Sequence, residues 1–165
     1  MHGQRKARRA QPALPPRGLR PRYSAADVQR MQLAHTGNLD GIATGVASET
    51  VIWDEVTNAL TWTYVSNALG VHQAAMERQL QLVTRLMDRY SRTGRVRYDG
   101  PDYQQAKTGV LVMDELATLT DVITAEQALT WAQAEMAAMV RAADLERAKL
   151  QAGAPTTTAQ EAATA

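Results

Sequence analysis

Apolar side chains recur along this chain in steps of three and four residues, the spacing of one face of an α-helix. The first stripe begins after Ser24 and continues to Val46, with His35 in one of its positions. Ser24 and Asp27 have the types and spacing of a capping box, which predicts a helix beginning at Ser24. This helix either packs closely on a neighbour through its glycines or breaks near Gly37.

The later stripes predict four or five more helices with short connections between them. Thr124 and Gln127 form a capping box for the last helix, and residues 92–100 are expected to form a loop or a small hairpin. Five or six helices joined in this way predict an all-α bundle. The later helices are predicted at residues 48–60, 63–69, 72–90, 101–119 and 124–150.

Charge and proline content divide the chain into an arm, a helical domain and a tail. Residues 1–22 contain seven basic residues, four prolines and no acidic residue, so we expect a disordered basic arm. Residues 23–150 form the helical domain. Residues 151–165 are small and polar, which predicts a disordered tail. The chain after residue 22 carries 11 Lys and Arg against 17 Asp and Glu. The overall charge of +1 is therefore the sum of a basic arm and an acidic remainder.

The basic arm has two interpretations of equal weight. It contacts nucleic acid, as short basic arms do when they order on a polyanion, or it is a solubilising or targeting extension. On the first interpretation, the candidate contacts in the arm are Arg5, Lys6, Arg8 and Arg9.

Composition and motifs exclude several classes of function. The chain has no Cys and three His, which excludes disulfides and thiolate catalysis and leaves too few ligands for an ordinary zinc site. No run reaches the roughly 18 apolar residues of a membrane span, and no apolar segment follows the basic start as in a secretory signal. No phosphate-binding loop or nucleophile motif is present. We expect a soluble, cytoplasmic protein that is not an enzyme and has no catalytic residue, metal or cofactor.

Residues 62–81 have the order of a helix-turn-helix, in which a short helix, a turn and a second helix follow one another. Gly70 tolerates the positive φ that the turn needs. Ser66 is small where the second helix is expected to cross the first. Val71 is expected to plug the core, and Met76 to point back towards the first helix.

The stretch LGVHQAAMERQL resembles the recognition segment of the Cro repressor family of lambdoid phages. The resemblance implies that Gln73 bonds an adenine edge and that Arg78 bonds a guanine edge or a phosphate in the major groove. Thr61 and Thr63 are expected to bond backbone phosphates. The residues that the resemblance places at the exposed start of the recognition helix are His72, Gln73, Glu77 and Arg78.

A second group of basic residues includes the stretch RTGRVRY, which follows the candidate recognition helix. Its members are Arg85, Arg89, Arg92, Arg95, Arg97 and Lys107. If this stretch forms a hairpin, it would act as a wing beside the helix, with Arg95 and Arg97 on phosphates. The alternative is a solvated helix end, whose arginines suit the negative C-terminal dipole.

Other polar residues have plainer interpretations. His35 is expected to be a satisfied core histidine rather than a ligand, because no histidine or carboxylate lies three or four positions away. The pairs Asp54-Glu55 and Asp114-Glu115 are expected to be exposed helix charges, because adjacent residues on a helix point about 100° apart.

Two functions follow from these observations. The first is a sequence-specific DNA-binding regulatory protein of helix-turn-helix type, acting on double-stranded DNA as a homodimer through the seams Met76–Tyr90 and Leu129–Leu150. The alternative is a helical adaptor or assembly component, of the type found in phages or mobile elements, that binds a protein partner without reading DNA.

Overall fold

The computed structural model describes residues 16–153, and among these residues there is no β-strand. The all-α prediction is therefore confirmed. Residues 1–15 and 154–165 lie outside the described residues, and so do the four candidate contacts at Arg5, Lys6, Arg8 and Arg9. The elements are a 3₁₀ turn at Arg17–Leu19 and the helices α1 Ala25–Thr44, α2 Glu49–Leu69, α3 Gln73–Thr93, α4 Gly100–Leu119 and α5 Val122–Gly153.

Helix α1 begins and ends at residues whose chemistry favours helix termini. Ser24 Oγ accepts a hydrogen bond from the Asp27 backbone N–H at 3.1 Å, and the Asp27 carboxylate accepts one from the Ser24 N–H at 3.3 Å. The predicted capping box is therefore confirmed. Gly45 adopts a φ of +76° and ends the helix, as glycine does at many helix C-termini. Because α1 continues through Gly37, the alternative of a break there is wrong.

Helix α2 is continuous, so the prediction of two separate helices at 48–60 and 63–69 is wrong. The chain has no Gly or Pro between Ser48 and Gly70 that would end a helix. The hydroxyls of Thr61 and Thr63 donate to the carbonyls one turn earlier, so these polar groups are satisfied within the helix.

The other helices surround α2, which packs against all four of them. Helix α4 also packs on α1 and α3, while α5 lies along α2. Ala132 of α5 belongs to a buried cluster that also contains Val56 of α2 and Val83 of α3. The core lies between these helices. Its largest fully buried apolar side chains are Ile42, Val56, Val65, Met76, Leu82, Val83, Leu86, Met113 and Leu116.

The connections around α4 decide between a loop and a hairpin before it and correct the predicted cap after it. Residues 94–99 form an irregular loop rather than a hairpin, and Val96 and Tyr98 of this loop are buried in the core. Helix α5 begins at Val122 because Asp121 accepts hydrogen bonds from the Thr124 N–H at 2.8 Å and its hydroxyl at 2.7 Å. The cap is therefore Asp121, and Thr124 is a donor to it.

Residues 16–22, which the sequence analysis placed in the arm, lie against the ends of α2 and α5. Arg17 Nη2 donates to the Ala68 carbonyl at 2.7 Å, near the C-terminus of α2. Pro21 accepts a hydrogen bond from the Val122 N–H at 2.8 Å, at the start of α5. We call residues 17–23 the N-terminal strap.

Candidate functional site

Helices α2 and α3 lie side by side rather than crossing near their connection. Glu55 Oε1 accepts a hydrogen bond from Gln79 Nε2 at 3.2 Å, and Ile52 and Met87 line the same surface cavity, about 25 Å from the turn. The pair is therefore an αα-hairpin, whereas the helices of a helix-turn-helix cross at about 90–120°. Val71 lies at the surface instead of plugging the core.

The turn between the two helices contains two residues with positive φ. Gly70 has a φ of +73° and His72 a φ of +58°. Only the second is unusual, since residues other than glycine seldom adopt positive φ. His72 Nε2 lies 3.1 Å from a carboxylate oxygen of Glu115 on α4. This contact ties the turn to α4.

The two threonines predicted to bond phosphates use their hydroxyls inside the bundle. Thr61 Oγ1 donates to the Thr57 carbonyl at 2.8 Å and Thr63 Oγ1 to the Ala59 carbonyl at 2.6 Å. Thr61 is also buried. The structure therefore does not bring them to one surface with Gln73.

The other predicted DNA contacts on α3 do share an exposed face. Gln73, Glu77 and Arg78 are exposed, and Gln73 Nε2 donates to Asn67 Oδ1 at 3.2 Å. Glu77 and Arg78 oppose each other in charge, so the start of α3 does not present a positive surface.

Most of the second basic group is used within the bundle. Arg85 and Arg89 lie 3.5 and 3.7 Å from the Asp102 carboxylate. Arg97 Nε donates to the Ala43 carbonyl at 3.0 Å, near the C-terminus of α1, while the side chain of Arg95 is exposed. No wing is formed by this loop, which is anchored to the bundle instead.

A buried carboxylate joins three helices, and sequence reasoning placed it at the surface. Glu55 is 2% exposed, so the prediction of an exposed charge is wrong for this residue. Its carboxylate accepts hydrogen bonds from Gln79 Nε2 of α3 and, at 3.4 Å, from Asn38 Nδ2 of α1. Burial raises the pKa of Glu55 to about 7, although both amide donors favour the charged form.

The amide of Gln79 fills the space beside Gly109 of α4. A Cβ built on Gly109 would lie 2.2 Å from Gln79 Oε1 and 2.4 Å from its Cδ. Within the described residues, Gln79 Oε1 and the buried hydroxyl of Tyr98 have no hydrogen-bond partner. Close approach of the two helices therefore depends on a glycine at this position.

A second buried polar chain links α1, α2 and α4. Trp62 Nε1 donates to His35 Nε2 at 3.2 Å, and His35 Nδ1 lies 2.8 Å from Asp114 Oδ1. Since Nε2 accepts from the indole, a neutral His35 carries its proton on Nδ1 and donates it to Asp114. His35 is 3% exposed, so the prediction of a satisfied core histidine is confirmed.

An open groove runs between α1 and α5, which both lie on α2 without packing on each other. The end of the groove near the start of α5 holds a cavity of about 190 Å³, which is lined mainly by apolar side chains and also by Tyr23. We call this feature the α1–α5 groove. The residues that line its cavity are Tyr23, Met31, Ala34, His35, Asn58, Thr61, Trp62, Ala125 and Leu129.

Three carboxylates lie near Tyr23 at this cavity, and two of them are paired with arginines. The pKa of Tyr23 is raised, first by burial and then by the nearby carboxylates of Glu126, Asp27 and Asp121. Asp121 lies 3.9 Å from Arg20, and Asp27 pairs with Arg30. No ion pair of Glu126 occurs among residues 16–153.

The bundle as a whole has no excess of positive charge. Residues 16–153 contain 14 Lys and Arg against 16 Asp and Glu. Within the described part of the chain, no cluster of three or more His, Asp and Glu is placed to hold a metal ion. None of its helices combines the length and apolar character that a membrane crossing requires.

The seam Met76–Tyr90, predicted as part of a dimer surface, is used inside the bundle. Met76 and Val83 are buried, and Met87 is half-buried against the core. The second seam, on α5, is more open, because Leu129 is 42% and Leu150 75% exposed.

Comparisons with known proteins complete the description of the site. The chain matches no protein-family model, no curated protein sequence and no solved structure. The resemblance of residues 62–81 to Cro-type repressors therefore stays a prediction.

Proposed function

We propose that this protein is a helical adaptor or assembly component that binds a protein partner through the α1–α5 groove. The observation that carries this proposal is the combination of an apolar cavity with the carboxylate of Glu126 at its edge, which has no ion pair among residues 16–153. A protein segment with one apolar anchor and basic neighbours complements such a groove. A DNA phosphate at this edge, by contrast, is disfavoured by Glu126, which has no ion pair among the described residues.

The geometry of α3 gives further support. The side-by-side hairpin keeps α3 between α2 and α4, where Gln105 Nε2 donates to the Arg78 carbonyl at 2.6 Å. A recognition helix has to project far enough to enter the major groove, and it works best on a positive surface.

The adaptor proposal predicts a specific contact at Leu129. We would replace Leu129 with photoreactive p-benzoylphenylalanine in the full chain and irradiate the cells that naturally make the protein. We expect a cross-linked product of one defined mass containing a second protein. Leu111, which is 62% exposed on α4, is the matched control and should give no such product. Equal products from the two positions, or none from Leu129, would contradict the proposal.

The second candidate function is DNA binding by the basic residues before the strap together with the start of α3. One observation favours it. The contact of Arg17 with Ala68 places the start of the strap at the same end of the bundle as Gln73. A short basic arm and a helix could therefore act on one stretch of duplex.

A DNA titration separates the two functions. We would select sequences from random duplexes with the full chain, at about 50 and 200 mM salt. We would compare it with Gln73→Ala/Arg78→Ala and with a variant in which Arg5, Lys6, Arg8 and Arg9 are all Ala. Under the adaptor proposal we expect weak binding that disappears with salt or with the four basic residues, and no enriched sequence. An enriched sequence lost in Gln73→Ala/Arg78→Ala would overturn the adaptor in favour of a DNA-binding regulator.

A further inference from the structure

Helix α5 is longer than the bundle on which it packs. It has 32 residues, against 20 or 21 in each of the other four helices, so it is roughly 17 Å longer than they are. Every residue from Val140 to Gln151 is exposed. Because most helical stability in proteins comes from packing, contact with a further surface would stabilise this half of α5.

Helix α5 has a second stripe of residues on the side that faces away from α2. Ala125, Ala128 and Ala132 are buried where α5 lies on α2. At 100° per residue, the second stripe is centred about 140° from these alanines. We call it the outer seam of α5, and its residues are all exposed and follow one another in steps of three and four. They are Trp131, Ala134, Ala138, Arg141, Leu145 and Ala148.

Two large apolar side chains distinguish the outer seam from ordinary exposed alanines. Trp131 is 37% and Leu145 58% exposed. The indole of Trp131 lies against Tyr64 of α2, with 5.6 Å between the ring centroids, so one side of it is held while the other is free. A tryptophan positioned in this way is typical of the residues that dominate binding at protein interfaces. The alanines between the two large side chains allow a second helix to approach closely.

The outer seam has the symmetry that pairing with a second copy requires. Trp131 and Leu145 lie seven residues before and after Ala138, and Glu135 and Arg141 lie three residues before and after it. In an antiparallel pair with a two-fold axis at Ala138, each Trp131 therefore meets Leu145 of the second copy. Each Glu135 likewise meets Arg141 of the second copy.

The two charged residues are available for this contact. Glu135 and Arg141 are exposed, and neither has an ion pair in the part of the chain that the structure describes. They point about 120° apart on α5, so they do not pair with each other within one chain. A parallel pair of helices would place each charge beside its own copy, which is unfavourable. The charges therefore favour the antiparallel arrangement.

We propose that two copies of this chain pair through the outer seam of α5, antiparallel and with Ala138 on the two-fold axis. The contact covers the free surface of Trp131 and part of the exposed half of α5. Leu129 lies about 150° around α5 from the centre of the seam, so the α1–α5 groove stays open and the dimer carries two grooves. The inference goes beyond the proposed function and does not depend on it.

Sedimentation of the full chain at micromolar concentrations tests the charge pairs. We expect a monomer–dimer equilibrium that Glu135→Arg and Arg141→Glu each weaken at least about tenfold, because each change places like charges together twice in the dimer. Glu135→Arg/Arg141→Glu exchanges the signs and should restore dimerisation. Glu77→Arg, the same change at an exposed position of α3, is the matched control and should leave dimerisation as it is.

A cysteine placed on the two-fold axis gives an independent test, since the chain has no other. Ala138→Cys should be converted to a covalent dimer by a bismaleimide that spans about 8–10 Å, the distance between packed helix axes. Leu111→Cys, at an exposed position of α4, is the control and should give little covalent dimer. Equal yields from the two positions would contradict the proposed axis.

Three results of the sedimentation experiment would overturn the inference. The first is a chain that stays monomeric up to about 100 μM. The second is a dimer that both charge reversals leave unchanged. The third is a dimer lost in Leu129→Glu, which would assign the pairing to the seam Leu129–Leu150 instead. Recovery in the double variant shows that the single changes act on pairing and not on folding.

Discussion

Replacing Glu55 with glutamine should make the protein more stable at pH 8 and remove most of the fall in stability between pH 5 and 8. Glu55 is buried and faces two amide donors, Asn38 and Gln79, with no cation in contact among the described residues. Burial raises its pKa from 4.5 to about 7. Ionisation in the folded state is therefore unfavourable.

The direction of the pH effect follows from proton linkage. Between pH 4.5 and 7 the folded protein holds a proton on Glu55 that the unfolded chain has lost, so stability falls as pH rises through this window. Above pH 8 the fall is complete. A raised pKa of this size corresponds to about 3 kcal/mol, at 1.36 kcal/mol per pKa unit.

Glutamine fits the site without rearranging its neighbours. Its carbonyl oxygen accepts from Gln79 Nε2 as Glu55 Oε1 does, and a rotated Asn38 amide presents an oxygen to the new NH₂ group. We expect Glu55→Gln to unfold like the parent at pH 4 and to gain up to about 3 kcal/mol at pH 8. Denaturant titrations at several pH values, with the helical circular dichroism signal as readout, measure both.

The neighbouring carboxylate supplies the control. Asp54 has the adjacent position on α2 but is exposed, so Asp54→Asn should change stability by less than about 0.5 kcal/mol at either pH. A Glu55→Gln variant that loses stability at pH 8 would show that the charged carboxylate is favoured by its surroundings, contrary to this account.

The sequence predicts the elements of this protein better than their contacts. The capping box at Ser24, the stop at Gly70 and the start at Gly100-Pro101 are local signals, and each marks a helix end in the structure. The prediction of two helices in place of α2 was wrong because it followed the short first helix of a helix-turn-helix motif. No residue between Ser48 and Gly70 required it.

The crossing angle of two helices is a different kind of property, which a motif of about twelve residues does not determine. In this bundle it depends on contacts far from the turn, such as those of Val56 with Val83. The residues at 62–81 therefore predicted the end of one helix at Gly70 and the start of the next, while the side-by-side packing depends on the whole length of α2 and α3.

The buried polar groups were missed for a related reason. The partners of Glu55 are 17 and 24 residues away, at Asn38 and Gln79. One signal was nevertheless present, because Glu55 occupies the stripe formed by Ile52, Ala59 and Trp62. The same signal, a polar residue in an apolar stripe, identified His35 correctly.

Replacing Gly109 with alanine should destabilise the protein more than a Gly→Ala change at any other glycine inside a described helix. The new Cβ would lie 2.2 Å from Gln79 Oε1. Gln79 is fully buried and bonded to Glu55, so it cannot move aside without giving up that hydrogen bond. Overpacking and the lost hydrogen bond together predict a loss of about 2–4 kcal/mol.

A control glycine makes the effect specific. Gly37 also lies inside a helix, but no atom is within 4 Å of a Cβ built there. Gly37→Ala should therefore be neutral or stabilise the protein by up to about 1 kcal/mol, since alanine favours helix. If Gly109→Ala lowers the free energy of unfolding and Gly37→Ala raises it, the loss at Gly109 comes from steric conflict and not from helix propensity.

The conflict should be relieved by shortening its partner. Gln79→Ala alone leaves a cavity and removes a donor from Glu55, and we expect it to destabilise the protein. In Gly109→Ala/Gln79→Ala the new methyl group enters the vacated space, so the double variant should be more stable than the sum of the single changes by at least about 1 kcal/mol. Additive losses in urea titrations would mean that Gly109 is required for another reason, and that the Gln79 amide is not what holds α3 and α4 at this distance.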